Sequence, residues 1–436
     1  MSSHPHQHGP LGANQRGTWR ATLAVIVPAA LIILAALIWL WPPSHTTADQ
    51  PDGAQRVNGT ITAINHEPCQ QLPPGEQPPG ARPGVNGCGT VTVRLTEGAA
   101  SGTQVTVRMP NGPGAPTIAE GDDMVLMHLP DTPSGETYQI HDHQRGNQLW
   151  ILGAAFALAV VAFGRWRGLS ALAGLAVTFG VLLLFVVPAI LAGQPPLLVA
   201  IVGAASIMLV VLYLTHGLSV STSVAVAGTL ASLTLTGVLS TVAVKTTHLS
   251  GVADETSSYL GLVHNVNMQG LLLAGILIGS LGVLDDVTVT QAATVTELAR
   301  ANPGYGFRQL YRSATRVGRS HIASVINTII LAYAGASLPL LVLIAAGNQP
   351  LGQVLTNQLI AQELVRSAVG TLGLIAAVPI TTALAAFAAR RSATMSPATP
   401  NLEHDPAPAP QERPAGDPAD HLAVLSRERT AGPEQW

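Results

Sequence analysis

Two adjacent aspartates, Asp285 and Asp286, stand in the stretch 279–294, whose other residues are Gly, Ser, Leu, Val, Thr, Gln and Ala. Carboxylates so placed can bind a cation or exchange a proton. An ionisable group at bilayer depth costs at least about 2.5–3.5 kcal/mol, so where one occurs it tends to be paired or functional. Neighbouring residues on a helix diverge by about 100°, so the two carboxylates do not share one proton as a catalytic dyad does. On a continuous helix Asp286, Thr290, Ala293 and Glu297 fall on one face, and Asp285, Thr288 and Ala292 on the next. Gly275, Gly279 and Gly282, spaced four and three apart, form a seam for close helix packing.

The element that must carry these groups is a membrane span with too few apolar residues. The run 270–284 is mostly apolar, but 15 helical residues rise only about 22 Å, short of the roughly 30 Å hydrocarbon core. Extension towards the N-terminus draws in His264, Asn265, Asn267 and Gln269; extension the other way draws in the aspartates, Thr288, Thr290, Gln291 and Thr294. Asp285, Asp286, Thr288, Thr290, Gln291, Thr294, His264 and Asn267 are therefore the candidates for a transport path. Asn302-Pro303-Gly304 should end the helix. Beyond it Arg308, Arg312, Arg316 and Arg319 form a basic stripe, read as an interfacial anchor for anionic lipid at the cytoplasmic face. Glu363 and Arg366 could pair on one helical face, and interfacial anchoring accounts for them adequately.

The composition sets this helix among others. Of 436 residues 47% are hydrophobic and 10% charged, against about 25% charged in soluble domains. The formal charge of -3 gives no basic surface for nucleic acid. Apolar runs near 21–41, 148–164, 168–192, 196–215, 218–243, 263–289, 321–346 and 364–389 predict an α-helical polytopic membrane protein of about eight spans. Arg16, Arg20, Arg165, Arg167, Arg390, Arg391 and the basic segment 300–320 all fall in the cytoplasm if both termini lie inside. The first run, 21–41, ends at Trp39 and Trp41 without a small-residue cleavage site and is read as an uncleaved anchor. Residues 1–20 and 391–436 read as disordered cytoplasmic ends. From 168 to 244 the spans lack acidic residues but are rich in Gly, Ser and Thr, which suits packing.

Between the first two spans, 42–147 reads as an extracytoplasmic β-rich domain of OB-like form, with strands expected at 57–64, 90–95, 104–109, 123–128 and 137–141. Its Pro- and Gly-rich excursion is bounded by Cys69 and Cys88, the chain's two cysteines and a candidate disulfide. Closing a loop of that size stabilises by about 3 kcal/mol. His141-Asp142-His143 lacks further local ligands and reads as a solvated strand end rather than a metal site.

The string Leu284-Asp285-Asp286-Val287-Thr288-Val289-Thr290-Gln291-Ala292, after a Gly-rich span and before Glu297, resembles the YibE/F-like family of bacterial multi-pass membrane proteins. The order of anchor, outer domain and seven further spans resembles its single-chain members, over roughly 55–390. The resemblance implies an architecture and a bacterial cytoplasmic-membrane location more than a reaction. The first reading is a permease that moves a cation or small solute past the Asp-Asp helix. The alternative is a non-transporting scaffold whose outer domain binds an envelope partner. No Gly-x-Gly-Asp, Ser-nucleophile, His-Glu-x-x-His or phosphate-loop motif is present, so neither an enzyme nor a cofactor or metal is expected.

Overall fold

The computed structural model describes residues 13–42, 55–68, 85–98, 100–111, 114–129, 137–252, 255–347 and 350–394. The leader 1–12, the tail 395–436, Cys69 and most of the Pro-rich excursion lie outside these residues. The polar segment 13–20, read as part of the leader, is already helical in α1 (Ala13–Trp39).

Between the first two helices lies a five-stranded antiparallel sheet: β1 (Gln55–Glu67), β2 (Cys88–Leu95), β3 (Gln104–Arg108), β4 (Asp123–His128) and β5 (Tyr138–His143), in the order β3-β2-β1-β4-β5. All five expected strands are present. The long β1 serves two partners, β4 along its first half and β2 along its second, with a bulge between Ile61 and Ala63 where it changes hands. Such a bulge bends the strand and increases its twist. Val57, Ile61, Val91, Val93, Leu95, Val107, Met124 and Leu126 make the core, and the edge strands β3 and β5 approach each other.

The rest is helical. Helix α2 (Gly146–Val181) passes through a π-helical turn (Leu182–Val186) into α3 (Val187–Leu191). Then come α4 (Pro196–His216), α5 (Val220–Thr246), α6 (Glu255–Val263), α7 (Met268–Ala301), α8 (Phe307–Ala336), α9 (Leu338–Ala346), α10 (Leu351–Thr356) and α11 (Gln358–Thr394). Local chemistry sets several boundaries. Pro195 and Pro196 open α4, Ser219 caps α5 by accepting from Thr222 N at 3.0 Å, and α7 stops at Asn302 as the Asn-Pro-Gly signal requires.

Among the described residues five helical stretches are long and apolar enough to cross a membrane: Gly146–Leu191, Pro196–His216, Val220–Thr246, Met268–Ala301 and Gln358–Arg391. Three of the eight expected runs are not separate members of this set. Runs 148–164 and 168–192 lie on the single stretch Gly146–Leu191, which breaks at Arg165 (φ 49°, ψ -128°). A Cβ on Gly168 would lie 3.2 Å from the Cα of Val161, whereas seven residues of straight helix separate atoms by about 10 Å; the chain turns back there. The run 21–41 keeps an apolar helical core of Ile26–Trp39. The run 321–346 is divided at Ser337 between α8 and α9, because Pro339 cannot continue the hydrogen-bond ladder of α8.

Helix α7 is the hub, packing on α4, α5 and α8. Its Leu277, Leu281, Leu284 and Val287 share one core with Ile207, Met208 and Leu212 of α4, Leu233 of α5, Ile322 of α8 and Leu374 and Val378 of α11. In contrast, no residue of 146–164 is buried, and Phe163 is 97% exposed. That exposure suits a lipid-facing arm.

Candidate functional site

Because α7 runs from Met268 to Ala301, the short apolar run is completed on its C-terminal side, past the aspartates. Asn267 is the N-cap, its Oδ1 accepting from Gly270 N at 2.7 Å. His264 lies before the helix, its ring edge-on to Tyr259 at 6.0 Å. Eighteen helical residues separate Asn267 from Asp285, about 27 Å, so the structure does not bring His264 and Asn267 together with the aspartates.

The remaining candidates fall on two sides of the helix. Thr288 is fully buried, and its hydroxyl lies 2.6 Å from that of Thr229 on α5 while donating to the carbonyl of Asp285 at 3.1 Å. Gln291, 3% exposed, donates from Nε2 to Ala314 O on α8 at 2.9 Å and to Thr382 Oγ1 on α11 at 2.8 Å. Gly318 of α8 makes room for it, since a Cβ there would lie 2.6 Å from Gln291 Oε1. These two side chains bind helix to helix.

The other side is open. Gly275, Gly279, Gly282, Asp286, Thr290, Ala293 and Glu297, spaced four and three along the helix, are all exposed. Nothing lies within 4 Å of a Cβ placed on Gly282. Asp285, on the neighbouring face, is partly buried, and its Oδ1 is buried without a hydrogen-bond partner. Thr294 is partly buried and donates within the helix to Thr290 O at 2.8 Å. The expected divergence of the two aspartates is present, one turned into the protein and one outward.

Arg308, Arg312, Arg316 and Arg319 are all exposed, opposite the buried face of Leu310, Ala314, Gly318 and Ile322. Cys88 is disulfide-bonded; Cys69, the other cysteine of the sequence, lies outside the described residues. Among the described residues no group of three or more His, Cys, Asp or Glu could hold a metal. Asp142 is engaged with Arg145 at 2.5 and 2.8 Å, and the His143 ring with Thr117 O at 2.7 Å. The hydrogen bond from Arg145, with one from the His143 backbone, lowers the Asp142 carboxyl to about 2. Beside them a groove of about 530 Å³ is lined by Asp122, Asp123, His143, Arg145, Leu149 and Leu152, among others.

Sequence reasoning missed the interlock of α5 with α11, where Gly228 faces Thr381 and Gly373 faces Thr236. The small and hydroxyl residues of 168–244 read as packing residues, but nothing in their spacing names α11 as the partner. It also left Tyr333 unremarked.

The decisive comparison covers the helical part. Residues 152–391 match the YibE/F-like protein family, more than half of the chain. The chain belongs to the YibE/F-like family. The YibE/F-like region begins inside α2 and ends inside α11, so the β domain, which the resemblance was expected to include from about residue 55, lies outside the matched residues. No curated protein and no solved structure matches the chain.

Proposed function

We propose that this YibE/F-like protein is a permease of the bacterial cytoplasmic membrane in which the open face of α7 lines a path for a cation or small solute. The observation that carries this reading is the continuous exposed row Gly275, Gly279, Gly282, Asp286 and Thr290 beside the unpartnered Oδ1 of Asp285. An uncovered carboxylate on a span is expensive unless water or an ion reaches it. The role is non-enzymatic. Eight crossings are supported by the turn at Arg165, which makes Gly146–Leu191 two arms, together with α1 and the α8–α9 run. With both termini in the cytoplasm, the arginine stripe of α8 meets anionic headgroups. The strand order and the approach of β3 to β5 support an OB-like, partly open barrel outside.

The test is flux of Tl⁺, Mn²⁺ and protons into vesicles containing the full-length protein. For the cation that moves, Asp286→Asn should lower the rate by about tenfold or more, the scale set by charge focusing in a lined path. Full flux in the Asp285→Asn/Asp286→Asn double variant would overturn the reading. A second reading, a scaffold that binds an envelope partner, is favoured by the groove beside Arg145. It requires that removing 45–145 abolish function while the aspartates are dispensable.

A further inference from the structure

At the Met268 end of the open face, three polar side chains from two other helices converge on the glycines. Glu363 and Arg366, one turn apart on α11, are ion-paired at 3.1 Å with 29% of each side chain exposed. The Arg366 Nη2 lies 3.9 Å from a Cβ placed on Gly275, and its Nε is buried without a hydrogen-bond partner. Tyr333 of α8 sets its hydroxyl over Gly279, 3.1 Å from a Cβ placed there. One turn further on, Gly282 is uncovered, and Asp286 follows. Side chains therefore approach this face at one end only, beside glycines that stay exposed.

An arginine serving merely as an interfacial anchor extends its head group into water and satisfies its donors there. Arg366 instead lies beside Gly275, at contact distance from a Cβ placed there, with one donor buried and unmet. A guanidinium on that seat repels a cation moving along α7 and blocks it sterically. When it leaves, it clears the approach to the glycine face and frees the Glu363 carboxylate, an acid one end of the path would share with Asp286 at the other.

We propose that Arg366, held by Glu363 and flanked by Tyr333, is the gate at the Met268 end of the α7 path, and that the structure is its closed form. This rests on reading the α7 face as a path. Access to a cysteine at mid-helix tests both separately. Gly282→Cys is placed in the full-length chain, in sealed vesicles of known orientation, and a positively charged methanethiosulfonate reagent is applied to one side at a time. The cysteine should react from the Ala301 side and only slowly from the Met268 side. Adding Arg366→Ala, or the milder Arg366→Gln if the first fails to fold, should speed reaction from the Met268 side by about tenfold or more, as removal of a like charge from a narrow approach does. Arg366→Lys should leave it slow. An unchanged Met268-side rate, with Ala301-side labelling intact, overturns the gate and leaves the path standing. A cysteine that neither side reaches in either background overturns the path and the gate together.

Discussion

The two sides of α7 use the same residue types to opposite ends. Towards α5 and α11, glycine is always opposed by something: Gly228 by Thr381, Gly373 by Thr236, Gly318 by Gln291. The polar groups of α7 there, Thr288 and Gln291, are bonded across to neighbouring helices. On the other side, at Gly282, no side chain fills the space that glycine leaves. A small-residue motif in a membrane helix thus has no fixed meaning. It is a packing device where a partner occupies it and a groove where none does.

The strongest way to break this comparison is to fill a glycine on each side. Gly318→Val should destabilise by about 3 kcal/mol through overpacking, because its Cβ would lie 2.6 Å from Gln291 Oε1 and 2.7 Å from Val378. Gly282→Ala, with open space around it, should cost nothing and stabilise by up to about 1 kcal/mol, as removing a mid-helix glycine does. Thermal unfolding in detergent measures both, and equal losses would erase the distinction. A finer pair is Thr288→Val against Thr290→Val. The first leaves the buried Thr229 hydroxyl without its partner on α7 and should cost about 1–2 kcal/mol. The second alters an exposed side chain and should change stability by less than about 0.5 kcal/mol.

The smallest effect sharpens the contrast between a carboxylate with a partner and one without. Asp142 is held from 3.8 down to about 2, chiefly by the hydrogen bond from Arg145. A carboxyl lowered on folding stabilises above its ordinary value, and the contribution fades as pH falls from about 4 through about 2. The melting temperature of Asp142→Asn should therefore fall less steeply over that range than that of the native chain. Because the pair is exposed, the difference should be slight.

Local signals carried far into this fold. Alternation and turn residues located all five strands, the Asn-Pro-Gly string stopped α7, and the arginines at 165 and 167 marked where Gly146–Leu191 breaks. The two faces of α7 followed from helical spacing alone. What spacing could not supply was the identity of whatever covers each face. Gln291 meets Thr382 from 91 residues away, and no periodicity within α7 encodes that meeting. The same gap explains the grouping of His264 and Asn267 with the aspartates. A short apolar run can be completed at either end, and the choice depends on where neighbouring helices allow the helix to begin. Glu363 and Arg366 looked like surface anchors because only the fold shows Gly275 lying beneath the guanidinium.

Gln291 has a consequence for motion. Its amide reaches α8 and α11 at once, and Gly318 and Val378 close around it, so α7, α8 and α11 are clamped at one level. Large rotations of these three helices against one another would have to break that clamp, a slow collective event on the microsecond-to-millisecond scale. A side chain such as Arg366 can change rotamer without disturbing it, within nanoseconds where it is exposed. The clamp therefore assigns fast rearrangement to individual side chains at the Met268 end and leaves slow rearrangement to helices outside it, α4 and the two arms before it.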